Sequence, residues 1–271
     1  MKHAIAWIDG RWGTADSLAL PLNDRGLQLA DGVFETVLLR HGMPMLLKQH
    51  RQRWCAGAEL LGLAEPPNQQ QLDPLIEAAV QRADLGETDS VLRLNWSRGG
   101  AGRGIEATTT GAERFWLTLQ PVQPQFSAVS TVISRLEQRN AASVLSRCKS
   151  FAYGQSIVAR REARQRGAEE ALLINTAGQL CCGTVANLLV RRRGIWLTPP
   201  LSSGCLPGVM RERCLTTGLA QEQDLGGMLQ REDQALLINS LSCRPIQSLN
   251  GTDLSPMAPA SAEQLWEHLL A

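Results

Sequence analysis

The sequence predicts a mixed α/β fold built from two domains. Segments with the two-residue period of strands alternate with segments of helical period in both halves of the chain. The two halves are joined by Gln120-Pro-Val-Gln-Pro-Gln125, where two nearby prolines suppress helix and ladder pairing. The chain has 271 residues, and its 44% apolar content is ample for a sizeable core. We therefore expect a smaller N-terminal domain over 1–120, a linker over 121–126 and a larger C-terminal domain over 127–271.

The first half is predicted to contain a hairpin, three further strands and two helices. Asp9-Gly10 is a strong turn signal for the hairpin between Ala4–Ile8 and Trp12–Ala15. Leu47–Leu63 has its large apolar residues on one helical face, and Gly62 marks the end of this helix. The other predicted elements are strand Val33–Arg40 before the turn His41-Gly42, helix Gln71–Ala83, and strands Val91–Trp96 and Arg114–Leu119.

The second half is predicted to contain five strands and three helices. In the first helix, Phe151, Ile157 and Val158 are expected to face inward, and Gly167 is the expected stop. Ser261 is the predicted N-cap of the last helix. The predicted elements are strand Ala128–Ser134, helix Ser150–Arg166, strands Ala171–Asn175 and Gln179–Val190 around the turn Thr176-Ala177-Gly178, strand Trp196–Thr198, helix Gly208–Leu219, strand Ala235–Asn239 and helix Ala262–Leu270.

Charge and cysteine usage exclude several classes of protein. Lys and Arg number 27 against 26 Asp and Glu, so no basic field favours nucleic acid as a partner. Seven scattered cysteines show neither a C-x-x-C pair nor a Cys/His cluster with zinc spacing. Free thiols are typical of a reducing cytosol, so we expect a cytoplasmic protein without a metal site. We also find no apolar run that would form a signal peptide or span a bilayer.

Lys149 is the residue around which the second half is interpreted. It is the only Lys after Lys48, in a chain whose other basic residues are almost all Arg. A Lys amine can form a Schiff base with a carbonyl cofactor, whereas Arg does not give up its proton. The alternative is a solvated surface amine, the usual situation of a Lys. We interpret Lys149 as the residue that holds pyridoxal phosphate.

Two stretches contain groups suited to a phosphate. Arg53 ends the run His50-Arg-Gln-Arg53 on the first long helix, and its guanidinium could bind an anion in bidentate fashion. The alternative is a solvated basic helix face. Leu201–Arg211 is a Gly- and Pro-containing loop that leads directly into a helix, and the first amides of that helix suit a phosphate monoester. The alternative there is an ordinary junction between loop and helix.

A third stretch contains groups suited to carboxylates. Ser97-Arg-Gly-Gly-Ala-Gly-Arg-Gly104 has Gly at four of eight positions, which allows the backbone to approach a ligand closely. Arg98 and Arg103 could clamp carboxylate groups. The alternative is the flexible end of a hairpin.

Together these pieces resemble the fold-type IV pyridoxal-phosphate enzymes, the class IV aminotransferase-like group that includes branched-chain aminotransferases, D-amino acid aminotransferases and 4-amino-4-deoxychorismate lyases. The resemblance covers nearly the whole chain. Within the group, the Gly-rich double-Arg run followed by Ile105-Glu106 is similar to the lyase branch. The matching stretches are N-D-R-G-L-Q-L-A-D-G-V-F-E-T (23–36), H-R-Q-R (50–53), Lys149, A-E-E-A-L-L-I-N-T-A-G (168–178), A-N-L (186–188), T-P-P-L-S-S-G-C-L-P-G-V-M-R (198–211) and L-I-N-S-L (237–241).

The resemblance implies a fold, an assembly and a set of site residues. It implies two α/β domains with the cofactor between them, and a homodimer. Lys149 would be the catalytic residue, and Arg98 and Arg103 would lie near the carboxylates of a small-molecule substrate. The phosphate would be held by Arg53, by the amides of Val209 and Met210, and by Ser240. The full set of implied cofactor-binding residues is Arg53, Lys149, Cys182, Asn187, Val209, Met210 and Ser240.

One departure from the group bears on the reaction. Cys182 stands where the group has a Glu that faces the ring nitrogen of the cofactor. This departure disfavours transamination. We expect a 4-amino-4-deoxychorismate lyase that produces 4-aminobenzoate and pyruvate for folate synthesis. Two alternatives stay open, a transaminase acting on branched-chain or D-amino acids and a non-catalytic homologue that binds the cofactor.

Overall fold

The computed structural model describes residues 3–100, 104–106 and 113–271, which divide into two compact units. The first unit comprises Met1–Gln123 and Cys148–Ala152, and the second comprises Pro124–Arg147 and Tyr153–Ala271. The predicted mixed α/β class is confirmed. The units differ from the predicted domains in one respect, because the short segment that carries Lys149 belongs to the first unit.

In its described residues, the first unit is a six-stranded antiparallel sheet with three helices. Its strands follow the spatial order β2-β1-β6-β5-β3-β4. In chain order its elements are β1 (Ile5–Ile8), β2 (Arg11–Gly13), α1 (Arg25–Leu29), β3 (Gly32–Arg40), β4 (Met43–Pro44), α2 (Leu47–Leu60), α3 (Gln69–Ala83), β5 (Ser90–Ser97) and β6 (Arg114–Pro121).

Two tight turns in this sheet confirm the turns predicted from sequence. Asp9 and Gly10 both have positive φ, 49° and 78°, between β1 and β2. His41 and Gly42 repeat this pattern, with 45° and 75°, between β3 and β4. Two successive residues with positive φ form the turn whose twist matches that of the flanking strands. In each hairpin, the conformational preferences of the two turn residues therefore determine the turn.

The core of the first unit lies between the sheet and helices α2 and α3. Trp54 of α2 and Leu72 of α3 are fully buried in one cluster with Leu92 of β5 and Leu117 of β6. Asn68 caps α3, because its side chain accepts from the Gln71 amide while the Gln71 side chain accepts from the Asn68 amide. The packed helix α2 presents its first turns to β3, the strand that carries Phe34 and Glu35.

Residues 148–152 pair with the start of β3. The Phe34 amide donates to the Lys149 carbonyl at 2.9 Å, and the Phe151 amide donates to the Gly32 carbonyl at 3.1 Å. The predicted start of a helix at Ser150 is therefore wrong, since these residues are extended. The helix begins only at Gly154. This pairing fixes the backbone of Lys149 beside Phe34.

The second unit is built on a nine-stranded sheet with three helices. In chain order its elements are β7 (Val129–Ile133), α4 (Gly154–Gln165), β8 (Glu170–Ile174), β9 (Leu180–Gly183), β10 (Asn187–Arg192), β11 (Ile195–Thr198), α5 (Val209–Thr216), β12 (Ala220–Glu222), β13 (Gln234–Asn239), β14 (Ser242–Leu249), β15 (Thr252–Asp253) and α6 (Pro259–Leu270). Short 3-10 turns cover Val144–Arg147 and Leu201–Ser203.

This sheet closes on itself at β9 and β10. Its main path runs β12-β11-β10-β13-β14-β7-β8-β9, and an additional pairing joins β9 back to β10. The closing pair is Cys182 on β9 opposite Asn187 on β10. The predicted single strand Gln179–Val190 is therefore wrong, because a turn divides it into β9 and β10. Two predicted site residues consequently lie face to face at the closure.

Two helices of the second unit differ from the sequence expectation. Ile157 of α4 was expected to face inward, but it is 64% exposed, and Ala159, Glu162 and Ala163 are the buried residues. Glu162 is buried because it accepts from the Ser134 hydroxyl and from the Arg135 amide. Helix α6 begins at Pro259 after Ala258, so the predicted N-cap at Ser261 is wrong. None of the helices in the described residues is both long and apolar enough to cross a membrane.

Candidate functional site

The side chain of Lys149 lies over the aromatic ring of Phe34 in the first unit. Its Nζ is 4.3 Å from the ring centroid. Burial lowers the pKa of Lys149 to about 7, and the positive charges of Arg53 and Arg93 act in the same direction while Glu35 opposes them. About half of the amine is therefore neutral at pH 7, and a neutral amine is the form that attacks an aldehyde.

Glu35 is a fully buried carboxylate that orients Arg53 and His50. It accepts hydrogen bonds from Nε and Nη2 of Arg53 at 2.7 and 2.6 Å, and from Nδ1 of His50 at 2.7 Å. Burial alone would raise the pKa of Glu35, but the Arg53 charge and these hydrogen bonds together hold it well below the ordinary value. Glu35 is therefore ionised at neutral pH and holds the Arg53 guanidinium in one orientation.

His50 contributes a hydrogen bond to this group without contributing charge. Burial lowers the pKa of His50, although the hydrogen bond to Glu35 opposes that shift. The ordinary value is 6.5, so His50 is neutral at pH 7, with its Nδ1 proton donated to Glu35. The group formed by Glu35, His50 and Arg53 is hereafter the Glu35 triad.

Arg93 is a cationic residue of this region that sequence reasoning missed. Its Cζ lies 3.6 Å from the centroid of the Phe34 ring, and its Nε donates to Oδ1 of Asn95 at 2.8 Å. The signal available in the sequence was a single Arg inside the apolar run of β5. The charges of Arg53 and Arg93 both lower the pKa of Lys149, whereas Glu35 raises it. Two guanidinium groups that act on the Lys149 amine suit an anionic ligand.

Arg98, which also belongs to the first unit, holds the end of a helix. Its Nε donates to Asp31 at 2.8 Å, its Nη1 to the Gly62 carbonyl at 2.9 Å, and its Nη2 to the Leu61 carbonyl at 2.5 Å. All three nitrogens thus contact acceptors of the protein itself. Substrate binding by Arg98 stays a prediction, and the structure shows a role in anchoring the end of α2. Arg103 lies outside the described residues.

Asn187 and Gly208 form a tight junction before α5 in the second unit. The side-chain amide of Asn187 donates to the Leu206 carbonyl at 2.9 Å. The backbone amide of Gly208 donates to the same carbonyl at 2.8 Å. A Cβ on Gly208 would lie 1.9 Å from Oδ1 of Asn187. Gly208 is also the N-cap of α5, whose first residues are Val209 and Met210. Asn187 therefore sets the path of the chain into this helix.

The start of α5 has the chemistry of a phosphate site. The first amides of a helix lack partners within the helix, and they point toward its N-terminal end. Val209 and Met210 are buried, so their amides are positioned by the core and not by solvent. Ser240 lies in the turn between β13 and β14. Binding of a phosphate by these three residues stays a prediction.

Gly208→Ala is expected to damage this junction. The added methyl group collides with Asn187, and such overpacking costs about 1–3 kcal/mol in the free energy of unfolding. Urea unfolding would measure the loss. The matched control is Gly154→Ala at the start of α4, where the added Cβ meets nothing within 4 Å. Equal stability of the two variants would show that the loop accommodates the methyl group.

A sequence profile of the family described as amino-transferase class IV matches residues 32–249, well over half of the chain. The chain belongs to the class IV aminotransferase family. This family uses pyridoxal phosphate, so pyridoxal phosphate is the cofactor implied for this class IV member.

Relatives of this class IV chain carry both lyase and aminotransferase names. It is 30% identical over 216 residues to a Schizosaccharomyces pombe protein named "Putative aminodeoxychorismate lyase", covering 77% of this chain and 85% of that one. It is 25% identical over 271 residues to a D-alanine aminotransferase of Bacillus licheniformis, covering 93% and 90% of the two chains. A structure named as a hypothetical aminotransferase from Mycobacterium tuberculosis, PLP-bound form, matches with a TM-score of 0.83 at 22% identity and 99% coverage of both chains. That likeness shows a shared fold.

The residues of the class IV chain fit pyridoxal phosphate. Because the pKa of Lys149 is lowered to about 7, its neutral amine is available at neutral pH to react with an aldehyde. The guanidinium groups of Arg53 and Arg93 suit a ligand that carries a phosphate. Among the described residues, no group of three or more His, Cys, Asp or Glu side chains could hold a metal ion. The Lys149 amine, with the cationic groups that act on it, offers covalent amine chemistry.

Proposed function

We propose that this chain is a pyridoxal-phosphate-dependent 4-amino-4-deoxychorismate lyase that releases 4-aminobenzoate and pyruvate for folate synthesis. The observation that carries the proposal is the Lys149 amine, whose pKa is lowered to about 7 by burial and by the charges of Arg53 and Arg93, because the substrate has an amine and two carboxylates. The 30% identity to a protein named as such a lyase supports the choice of reaction. A cytoplasmic homodimer is part of the same proposal.

Lys149 is proposed to handle protons on both sides of the bond that breaks. Bound pyridoxal phosphate withdraws electrons from the substrate carbon that bears the amine, and thereby acidifies its proton. The neutral Lys149 amine takes that proton as a general base. The adjacent carbon–oxygen bond then breaks, and the ring becomes aromatic. Lys149 returns the proton to the methylene carbon of the departing enolpyruvate, which gives pyruvate without any net oxidation.

The cationic side chains are proposed to orient the two ends of the ligand. Arg53 donates to Glu35 through two of its nitrogens, which fixes the orientation of its guanidinium, and we propose that this cation holds the phosphate. Arg93, beside the Phe34 ring, is proposed to attract a substrate carboxylate. We propose that the amides of Val209 and Met210, with Ser240, bind the phosphate, and that Asn187 positions them.

Cys182 is proposed to favour elimination over transamination. A carboxylate keeps a proton on a pyridine nitrogen through a charge-assisted hydrogen bond, and a thiol is a weak substitute. Transamination relies throughout on a strongly electron-withdrawing ring. Elimination has aromatisation as a separate driving force, so it tolerates a ring that withdraws electrons less strongly. Cys182 is buried at the closing pair with Asn187.

The test compares two reactions in two proteins. The natural protein should release 4-aminobenzoate from aminodeoxychorismate, followed by fluorescence, while it transaminates D-alanine or L-leucine weakly. Cys182→Glu should raise the transaminase rate by about tenfold or more, the effect of about 1.4 kcal/mol of added stabilisation at the ring nitrogen. If the natural protein transaminates as fast as the Glu variant and releases no 4-aminobenzoate, the lyase proposal is wrong.

The second candidate is a class IV aminotransferase. The observation that favours it is the match to a D-alanine aminotransferase over 93% of this chain. The same assays separate the two candidates, because a transaminase forms a 2-oxo acid from each amino acid and needs a 2-oxo acid acceptor. A lyase turns over aminodeoxychorismate with no acceptor present.

A further inference from the structure

Three buried thiols lie together in the second unit. Cys181 and Cys182 are adjacent on β9, and Cys205 lies between the 3-10 turn Leu201–Ser203 and α5. Cys181 and Cys205 are each 1% exposed and belong to the same apolar cluster. The proposed reaction uses neither of these two thiols.

Cys181 and Cys205 contact each other and the same short segment. The Sγ of Cys181 donates to the Ser203 carbonyl at 3.2 Å. The Sγ of Cys205 lies 3.6 Å from the Pro200 carbonyl. The side chains of Cys181 and Cys205 are also hydrogen-bonded to each other. A disulfide requires an S–S distance of about 2.05 Å and Cβ atoms about 3.8 Å apart. Two hydrogen-bonded thiols that lie against the same segment are therefore the candidate pair.

One of the two thiols is the readier nucleophile. The hydrogen bond from Cys181 lowers the pKa of Cys205 against the effect of burial, and the charges of Arg211 and Arg139 act in the same direction as that hydrogen bond. Burial instead raises the pKa of Cys214, in the same unit, to about 12. Since the thiolate is the reactive form, Cys205 is expected to react first.

We propose that Cys181 and Cys205 form an intramolecular disulfide when the protein meets a hydroperoxide, and that this bond weakens anion binding at the start of α5. The second clause rests on the proposed function, in which Val209 and Met210 hold the cofactor phosphate. The first clause stands without it.

The chemistry balances with a hydroperoxide as the oxidant. The Cys205 thiolate attacks a peroxide oxygen, the O–O bond breaks, and the thiolate becomes a sulfenic acid while an alcohol or water leaves. The Cys181 sulfur then attacks the sulfenic sulfur, the S–O bond breaks, and water leaves with the Cys181 proton. Two thiols are oxidised and one hydroperoxide is reduced. Because both sulfurs are buried, the reaction requires transient opening of the segment beside half-buried Leu206 and Pro207.

The link to α5 follows from the tight packing of the same segment. Cys205 is three residues before Gly208, and the Leu206 carbonyl between them accepts from both the Asn187 side chain and the Gly208 amide. Gly208 has no room even for a methyl group beside Asn187. Drawing the Cys205 sulfur to the bonding distance of about 2.05 Å from the Cys181 sulfur is therefore expected to displace this junction.

The first test counts thiols in the full-length protein after treatment with hydrogen peroxide. The natural protein should lose two of its seven thiols, and peptide mapping should show a Cys181–Cys205 link that dithiothreitol reverses. Cys205→Ser and Cys181→Ser should lose no pair. Cys214→Ser is the matched control and should still lose two of its remaining thiols. No loss in the natural protein, a link to Cys182, or an equal loss in Cys205→Ser would overturn the proposal.

The second test measures affinity for pyridoxal phosphate by fluorescence quenching in the reduced and oxidised proteins. Oxidation should weaken binding by about tenfold or more, equivalent to about 1.4 kcal/mol, and dithiothreitol should restore it. Cys205→Ser should bind equally before and after peroxide. A mapped disulfide with unchanged affinity would overturn the link to α5. Failure of the lyase assay alone would leave the mapped disulfide standing, so the two proposals are tested separately.

Discussion

Lys149→Ala is expected to remove the covalent bond to pyridoxal phosphate and to lower turnover by about 10⁴-fold or more. The physical reason is that one buried amine is proposed to serve as both the attachment point and the general base. Borohydride should reduce a yellow adduct in the natural protein and find none in the variant. Lys48→Ala is the matched control, because Lys48 is exposed on α2. A reducible adduct in Lys149→Ala would assign the chemistry to another Lys.

The pH dependence of cofactor loading provides a second readout at Lys149. Its pKa is lowered to about 7, so the neutral, nucleophilic fraction rises as the pH rises through 7. The rate at which the apoprotein takes up pyridoxal phosphate should therefore increase from pH 6 to about 8 and then level off. A rate that keeps rising to about pH 10 would indicate an ordinary, solvated amine.

Glu35→Gln is expected to have the second largest effect, because it removes the charge that orients Arg53. Breaking a buried ion pair leaves the partner uncompensated and costs about 3–5 kcal/mol in the free energy of unfolding. Cofactor affinity should fall as well, since Arg53 loses its fixed orientation. In addition, Glu35 raises the pKa of Lys149, so its removal should move the midpoint of cofactor loading to lower pH. A merely structural role for Glu35 would not shift that midpoint.

Glu65→Gln is the matched control for the Glu35 variant. Glu65 follows helix α2 and pairs at 3.3 Å with Arg51, which lies on the same helix as Arg53. The Glu65 side chain, however, is 73% exposed. An exposed pair contributes only about 0–1 kcal/mol. Urea unfolding at pH 7 measures both variants. The folded-state pKa of Glu35 is depressed, so its stabilisation is fully present above about pH 4.5 and is lost only as the pH falls below that value. Equal stability of the two variants would contradict the role given to the Glu35 triad.

Local chemistry made several elements of the fold predictable. Asp9-Gly10 and His41-Gly42 adopt positive φ with little steric cost, so both turns could be placed without any knowledge of distant contacts. Helix α2 was predicted from the spacing of its apolar residues, and Trp54 is indeed buried in the core of the first unit. In each case the deciding interactions lie within a few residues of one another.

Non-local pairing explains where the prediction of elements was wrong. Residues 149–151 precede a segment of helical period, but they pair with β3, which lies more than 100 positions earlier in the chain. The helix therefore begins later than expected, at Gly154. Strand β14 was missed altogether, because Pro245 lies inside it and the strand depends on its partners β13 and β7. Glu162 is buried although it is charged, because three donors from distant residues and the nearby Arg166 satisfy it.

The sequence by itself determined the family and the cofactor, and it predicted Lys149 as the reactive amine, because these depend on residue types that few other chemistries require. A lone Lys, a Gly-Val-Met helix start and a Cys in place of a Glu can be recognised without coordinates. Only the tertiary structure decided which groups surround that amine. Arg93 and Glu35 lie on different strands, and Arg98 contacts a helix end over 30 positions away. Burial and the charges of Arg53, Arg93 and Glu35 set the pKa of Lys149, and all three charges come from distant parts of the chain, so this pKa could not be predicted from the order of the residues.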